Sequence, residues 1–140
     1  MSRKTVYIFS EDNSSSLQMV EGFIRKYLNI DKWNVQTGAR QKNLLNPLAV
    51  EVMHEIGIDI RNQSSNLVDL SFVSQADYII NLSGDIQSNF KDLAKNVRVE
   101  SWSFEEPEKA QGTKEEKLIV FRRVRNAIKN RVQEFAEVEG

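Results

Sequence analysis

The chain has 140 residues, 40% of them hydrophobic and 9% aromatic, enough for a single globular domain over 1–140 that buries roughly two-thirds of its unfolded surface. Nineteen Lys and Arg against 20 Asp and Glu leave a net charge of −1, so nothing draws the chain as a whole to nucleic acid or to an anionic membrane. It has no cysteine and one histidine, His54, which excludes disulfides, a thiolate nucleophile, Cys-ligated zinc and thiol redox chemistry of its own, and leaves little for imidazole catalysis.

Taken in chain order, the apolar run Thr5, Val6, Tyr7, Ile8, Phe9 predicts a strand covered on both faces, ended by a polar run over 10–16. Leu17, Val20, Phe23, Ile24, Tyr27 and Leu28 are spaced as one face of a helix that follows directly. A second, shorter strand is expected over 33–36, closed by Thr37 and Gly38, with loop up to Leu45. Asn46 reads as an N-cap with Pro47 at the first helical position, and Leu48, Ala49, Val52, Met53 and Ile56 form a stripe stopped by Gly57. Tyr78, Ile79 and Ile80 mark a buried strand within 76–82, followed by a turn at Ser83, Gly84 and Asp85. Phe90, Leu93 and Ala94 fit a short helix, and 97–100 alternates as a last, one-sided strand. The longest helix carries Leu118, Phe121, Val124, Ile128, Val132 and Phe135 at every third or fourth position. Strands alternating with helices imply an α/β fold, a parallel sheet with helices on both faces. Ligands in such sheets bind beyond the carboxyl ends of strands, which directs attention to Ser10, Glu11, Asp12, Asn13, Ser14, Ser15, Ser16 and the helix start at Leu17. Helix-terminal amides there favour an anion, while Glu11 and Asp12 oppose a dianion by about a kcal/mol each if solvated.

Several segments then resemble one family. Residues 18–23 after the strand loop, Asn46-Pro47 through Ile60, Gln63-Ser64-Ser65, the strand 76–82, Trp102-Ser103-Phe104-Glu105-Glu106-Pro107 and Phe121-Arg122-Arg123-Val124-Arg125 are similar to low-molecular-weight protein tyrosine phosphatases and the thioredoxin-coupled arsenate reductases built on the same fold. The arsenate-reductase branch fits better, through Leu82-Ser83-Gly84-Asp85 and the Trp-x-Phe segment. The resemblance implies a three-layer α/β/α domain with a four-stranded parallel sheet in the order 2-1-3-4.

It also implies a Cys-x5-Arg loop, in which a thiolate attacks phosphorus or arsenic and the arginine clamps the oxyanion. Here the nucleophile position is Ser10, the arginine position Ser16 and the supporting hydroxyl position Leu17. The relay cysteines of the reductases fall at Ser83 and Phe90, and the general-acid aspartate before the proline is Glu106. Asn13, Glu21, Asn46 and Pro47 keep the family's architectural pattern. A serine hydroxyl without an adjacent base is a poor nucleophile, and loss of the guanidinium removes several kcal/mol of transition-state stabilisation.

These replacements lead to the expectation of a catalytically inactive chain acting as a binding or regulatory module, with a protein partner or a small anion at the 10–17 loop. The alternative is a hydrolase using Ser10 with Glu11, Asp12 or Glu106 as base. No cofactor, metal, nucleic acid or membrane is expected, and the location expected is cytoplasmic, because apolar runs such as 118–121 fall far short of the ~20 residues that span a bilayer and no apolar signal segment opens the sequence. Plainer readings stand beside the sharper ones: 14–16 as a helix cap, Glu11, Asp12 and Glu106 as a solvated rim rather than a cation site, His54 on the surface, and Trp102 and Phe104 as packing. The stretch from Lys114 to Arg131, with seven Lys or Arg against two Glu, reads as a solvated face.

Overall fold

Strand β1 (Lys4–Asp12) lies between two neighbours, and Val6, Tyr7, Ile8 and Phe9 have no exposed surface. The computed structural model describes residues 3–12, 14–41, 44–64, 66–82 and 97–139. With β2 (Trp33–Gln41), β3 (Tyr78–Asn81) and β4 (Arg98–Ser101) the strand forms a parallel sheet in the order β2-β1-β3-β4, the order expected. Val6 stands opposite Val35 on one side and Tyr78 on the other.

Side chains alternate along β1. Val6 and Ile8 enter the larger core with Phe23 of α1 (Ser15–Tyr27), Val52 of α2 (Pro47–His54) and Phe121 and Ile128 of α4 (Lys114–Glu139). Tyr7 and Phe9 enter a smaller core with Ile79 and with Val73 of α3 (Leu70–Gln75). The result is the α/β architecture with helices on both faces of the sheet.

Local signals account for the helix limits. Asn46 Oδ1 accepts from Leu48 N–H at 2.8 Å, the expected cap of α2. Gly57, at φ 82°, closes the other end, where Ile58 N–H donates to Met53 O at 3.0 Å and Gly57 N–H to His54 O at 3.0 Å. Two expected limits move. β1 and β2 extend each other, to Asp12 and Gln41, through residues expected to be loop, because a parallel ladder satisfies the backbone of polar residues as well as apolar ones. The outer edge of β2 is covered in turn, with Ala39 N–H donating to Asn66 O at 3.0 Å and Val68 N–H to Ala39 O at 2.8 Å. Helix α3 was not expected: its one buried residue, Val73, gives no periodic stripe, and its start is fixed by Asp69 accepting from Ser71 N–H at 2.9 Å. The expected helix around Phe90, Leu93 and Ala94 and the turn at Ser83, Gly84 and Asp85 lie outside the described residues.

Candidate functional site

The end of β1 and the start of α1 bring most of the expected site residues together. Ser10 is buried at 3% exposure, stands opposite Ala39 in the sheet and continues the Val6/Ile8 side of the strand. Glu11 continues the opposite side, and the backbone of Asp12 is in register with Gln41. The residues 10–16 are therefore not one loop: three of them prolong the strand and two open the helix. Asn13 lies outside the described residues, as do Ser83 and Phe90.

At the helix start Ser14 is the N-cap, its side chain accepting from Leu17 N–H at 3.3 Å. Of the serine run expected to cap the helix, Ser14 does so. Ser15, Ser16 and Leu17 are buried, and Ser15 Oγ has no hydrogen-bond partner among the described residues. The N–H of Ser15 donates to Glu108 Oε2 at 2.8 Å, a contact across 93 residues of sequence. A carboxylate thus already occupies the positive end of a 13-residue helix.

Glu106, at the position of the family's general acid, turns to Lys109 Nζ at 2.6 Å. Glu108 lies two residues beyond, in the 3-10 turn Pro107–Lys109 whose Pro107 is buried. No spacing in the sequence marks it, because the contact is made by the folding of two distant segments. On the side of the sheet opposite Ser10, β2 sets a cation beside Glu11: Arg40 Nε lies 3.4 Å from Glu11 Oε2, with its guanidinium 5.8 Å from the Phe9 ring centroid. The strand register, Ser10 to Ala39 and Asp12 to Gln41, is what places Arg40 beside Glu11.

Other expectations resolve by packing. His54 is exposed. Trp102 is buried at 4% exposure and meets Phe135 edge-on at 5.8 Å, with Phe104 packed on the same core. The basic side chains of α4 serve the fold: Arg122 and Arg125 both reach Glu55 at 2.7 Å, Arg123 reaches Glu105 at 2.8 Å, and Arg131 pairs with Glu100.

On the far side of α1 a cleft of about 360 Å³ is lined by Glu21, Arg25, Asp59, Gln63 and Asn66 among others. Burial pushes the Glu21 carboxyl above the ordinary carboxylate range, and the hydrogen bond from Arg25 at 2.8 Å offsets this only in part. Gln63 Nε2 donates to Gln18 O at 2.8 Å, so this wall also steadies the first half of α1.

No family model matches the chain. Individual relatives do. Arsenate reductases of Shouchella clausii and Bacillus subtilis are each 42% identical over 98% of this chain and 98% of their own length. A solved arsenate reductase in a phosphate-binding state superposes with a TM-score of 0.80 at 28% identity, covering 98% of this chain and 99% of the other. These full-length relatives overturn the expectation of an inactive binding module: a chain this similar over its whole length to named reductases is grouped with active enzymes. By this similarity over its full length, the chain belongs to the arsenate reductase family and carries the low-molecular-weight phosphatase-like fold.

Proposed function

We propose that the chain is an oxyanion-reducing enzyme of the arsenate reductase kind whose reducing thiols come from outside the chain. The observation that carries this reading is the hydrogen bond from Ser15 N–H to a carboxylate oxygen at 2.8 Å: the start of α1, at the carboxyl end of the central strand, accepts an anionic oxygen. By resemblance, Ser10 and Ser16 stand at the nucleophile and arginine positions, and the chain has no cysteine. Two external thiols close the balance. Arsenic acid and two RSH give arsenous acid, one RSSR and one water. The first thiol forms an As–S bond as an As–O bond breaks and water leaves; the second thiolate attacks that sulfur, and the electron pair of the As–S bond passes to arsenic.

The chain's part is to hold and polarise the oxyanion with amides and the helix dipole. The partners are accordingly a tetrahedral oxyanion at 10–17 and a thiol donor, with neither nucleic acid nor membrane involved. The cytoplasm, where thiols are kept reduced, is the compartment this chemistry requires.

The test is arsenite formed from arsenate with glutathione or with a thioredoxin system as donor, separated chromatographically and compared with a mixture lacking the chain. Arsenite formation well above that background is expected. A rate equal to the background with both donors overturns the proposal.

A further inference from the structure

We infer that Glu108 is an internal competitor for the oxyanion and sets the affinity of the site; this rests on the oxyanion reading above. Four observations converge. Ser15 N–H is a first-turn amide of α1 with no carbonyl available within its own helix, and its acceptor is Glu108 Oε2 at 2.8 Å. The next capped amide, Leu17 N–H, is held by Ser14 Oγ at 3.3 Å, so Glu108 supplies the one charged acceptor among the contacts described at this helix end. Ser15 Oγ is buried without a partner among the described residues, a polar atom that the carboxylate leaves unsatisfied. The neighbouring Lys109 pairs with Glu106 at 2.6 Å.

A carboxylate oxygen and an oxyanion oxygen make the same charge-assisted bond to an amide, and they cannot share it. An incoming tetrahedral dianion therefore has to displace Glu108 and, until it does, meets its negative charge. Glu108 sits on a three-residue 3-10 turn and is itself exposed, so the side chain can swing to solvent without unpacking the core, while buried Pro107 keeps the turn in place.

Isothermal titration of the full chain with inorganic phosphate at fixed ionic strength tests this, using the unaltered protein, Glu108→Ala and Glu108→Gln. Removal of the carboxylate is expected to tighten phosphate binding about tenfold, with the glutamine variant in between, as follows from exchanging one charge-assisted bond for another. Glu134→Ala, which removes one negative charge elsewhere on α4, leaves the affinity unchanged. Phosphate should also raise the melting temperature of Glu108→Ala more than that of the unaltered chain, whereas a purely structural cap would lower stability with no gain in affinity. Equal affinities in all three proteins overturn the inference while leaving oxyanion binding intact. No phosphate binding in any of them overturns both. If the alanine variant does not fold, the glutamine variant, which keeps the acceptor shape and loses only the charge, decides.

Discussion

Gly38 lies in β2 with ordinary backbone angles, and its lack of a side chain is a matter of space. A Cβ there would stand 1.9 Å from the Tyr7 hydroxyl oxygen and 2.9 Å from the Val68 backbone. That hydroxyl is held in place by accepting from Asp69 N–H at 3.2 Å, which ties β1 to the cap of α3. Gly38→Ala is therefore expected to cost about 3 kcal/mol in urea unfolding, at the upper end of overpacking penalties. Combining it with Tyr7→Phe should recover part of the loss, since the Val68 clash remains; a double variant no better than the sum of the singles would show that the hydroxyl is not the obstacle. Glu21 makes a second residue-level prediction. Its pKa is raised by burial, so the native state holds its proton more tightly than the unfolded chain does. Stability from this group is present below the ordinary carboxylate pKa and is lost as pH rises through the raised native value. The melting temperature of the unaltered chain relative to Glu21→Gln should climb as pH falls through the raised native value and level off only below the ordinary carboxylate pKa. A difference independent of pH would contradict the buried ionisation.

Helix α4 is the element on which the larger core closes. Phe135 sits at 2% exposure and meets the Tyr78 ring edge-on at 5.2 Å, Trp102 at 5.8 Å and Trp33 at 6.0 Å, so one side chain joins α4 to three strands or their ends. Phe135→Ala should cost about 3–5 kcal/mol by the transfer and cavity terms together. Val138→Ala, four-fifths of a turn further on and 79% exposed, should stay within about 0.5 kcal/mol. Equal urea midpoints for the two variants would deny Phe135 this role. The same stripe was readable in the sequence, since Leu118, Phe121, Val124, Ile128, Val132 and Phe135 are all buried. Periodicity reports which residues face a core, so it finds long amphipathic helices and buried strands and places the caps at Asn46 and Gly57. It is silent where the backbone alone decides. The polar ends of β1 and β2 pair because each is the other's hydrogen-bond partner, and six-residue α3 buries only Val73. Of the site, the position and the serine cap were legible. Glu108 and Arg40 were not, because each arrives from another element through register and docking.

At the scale of the whole molecule, the proposed function requires a chain without cysteine, in a family of reductases, to separate two tasks that a thiolate enzyme joins. In that proposal the fold holds the oxyanion, through the α1 terminus and the strand end beside it, and the electrons come from a thiol that arrives by diffusion. An intramolecular thiol enjoys an effective concentration on the order of 10⁵ M or more, and an external one has only its own concentration. Turnover should therefore rise in proportion to thiol concentration across the millimolar range, without a plateau, while saturating in arsenate. Pretreatment of the chain with iodoacetamide, followed by removal of the reagent, should leave that turnover unchanged, because no side chain in it carries a thiol to alkylate. A rate that saturates at low thiol concentration would instead mean that the chain binds its donor in a dedicated site, and the division of labour between scaffold and diffusing reductant would have to be redrawn.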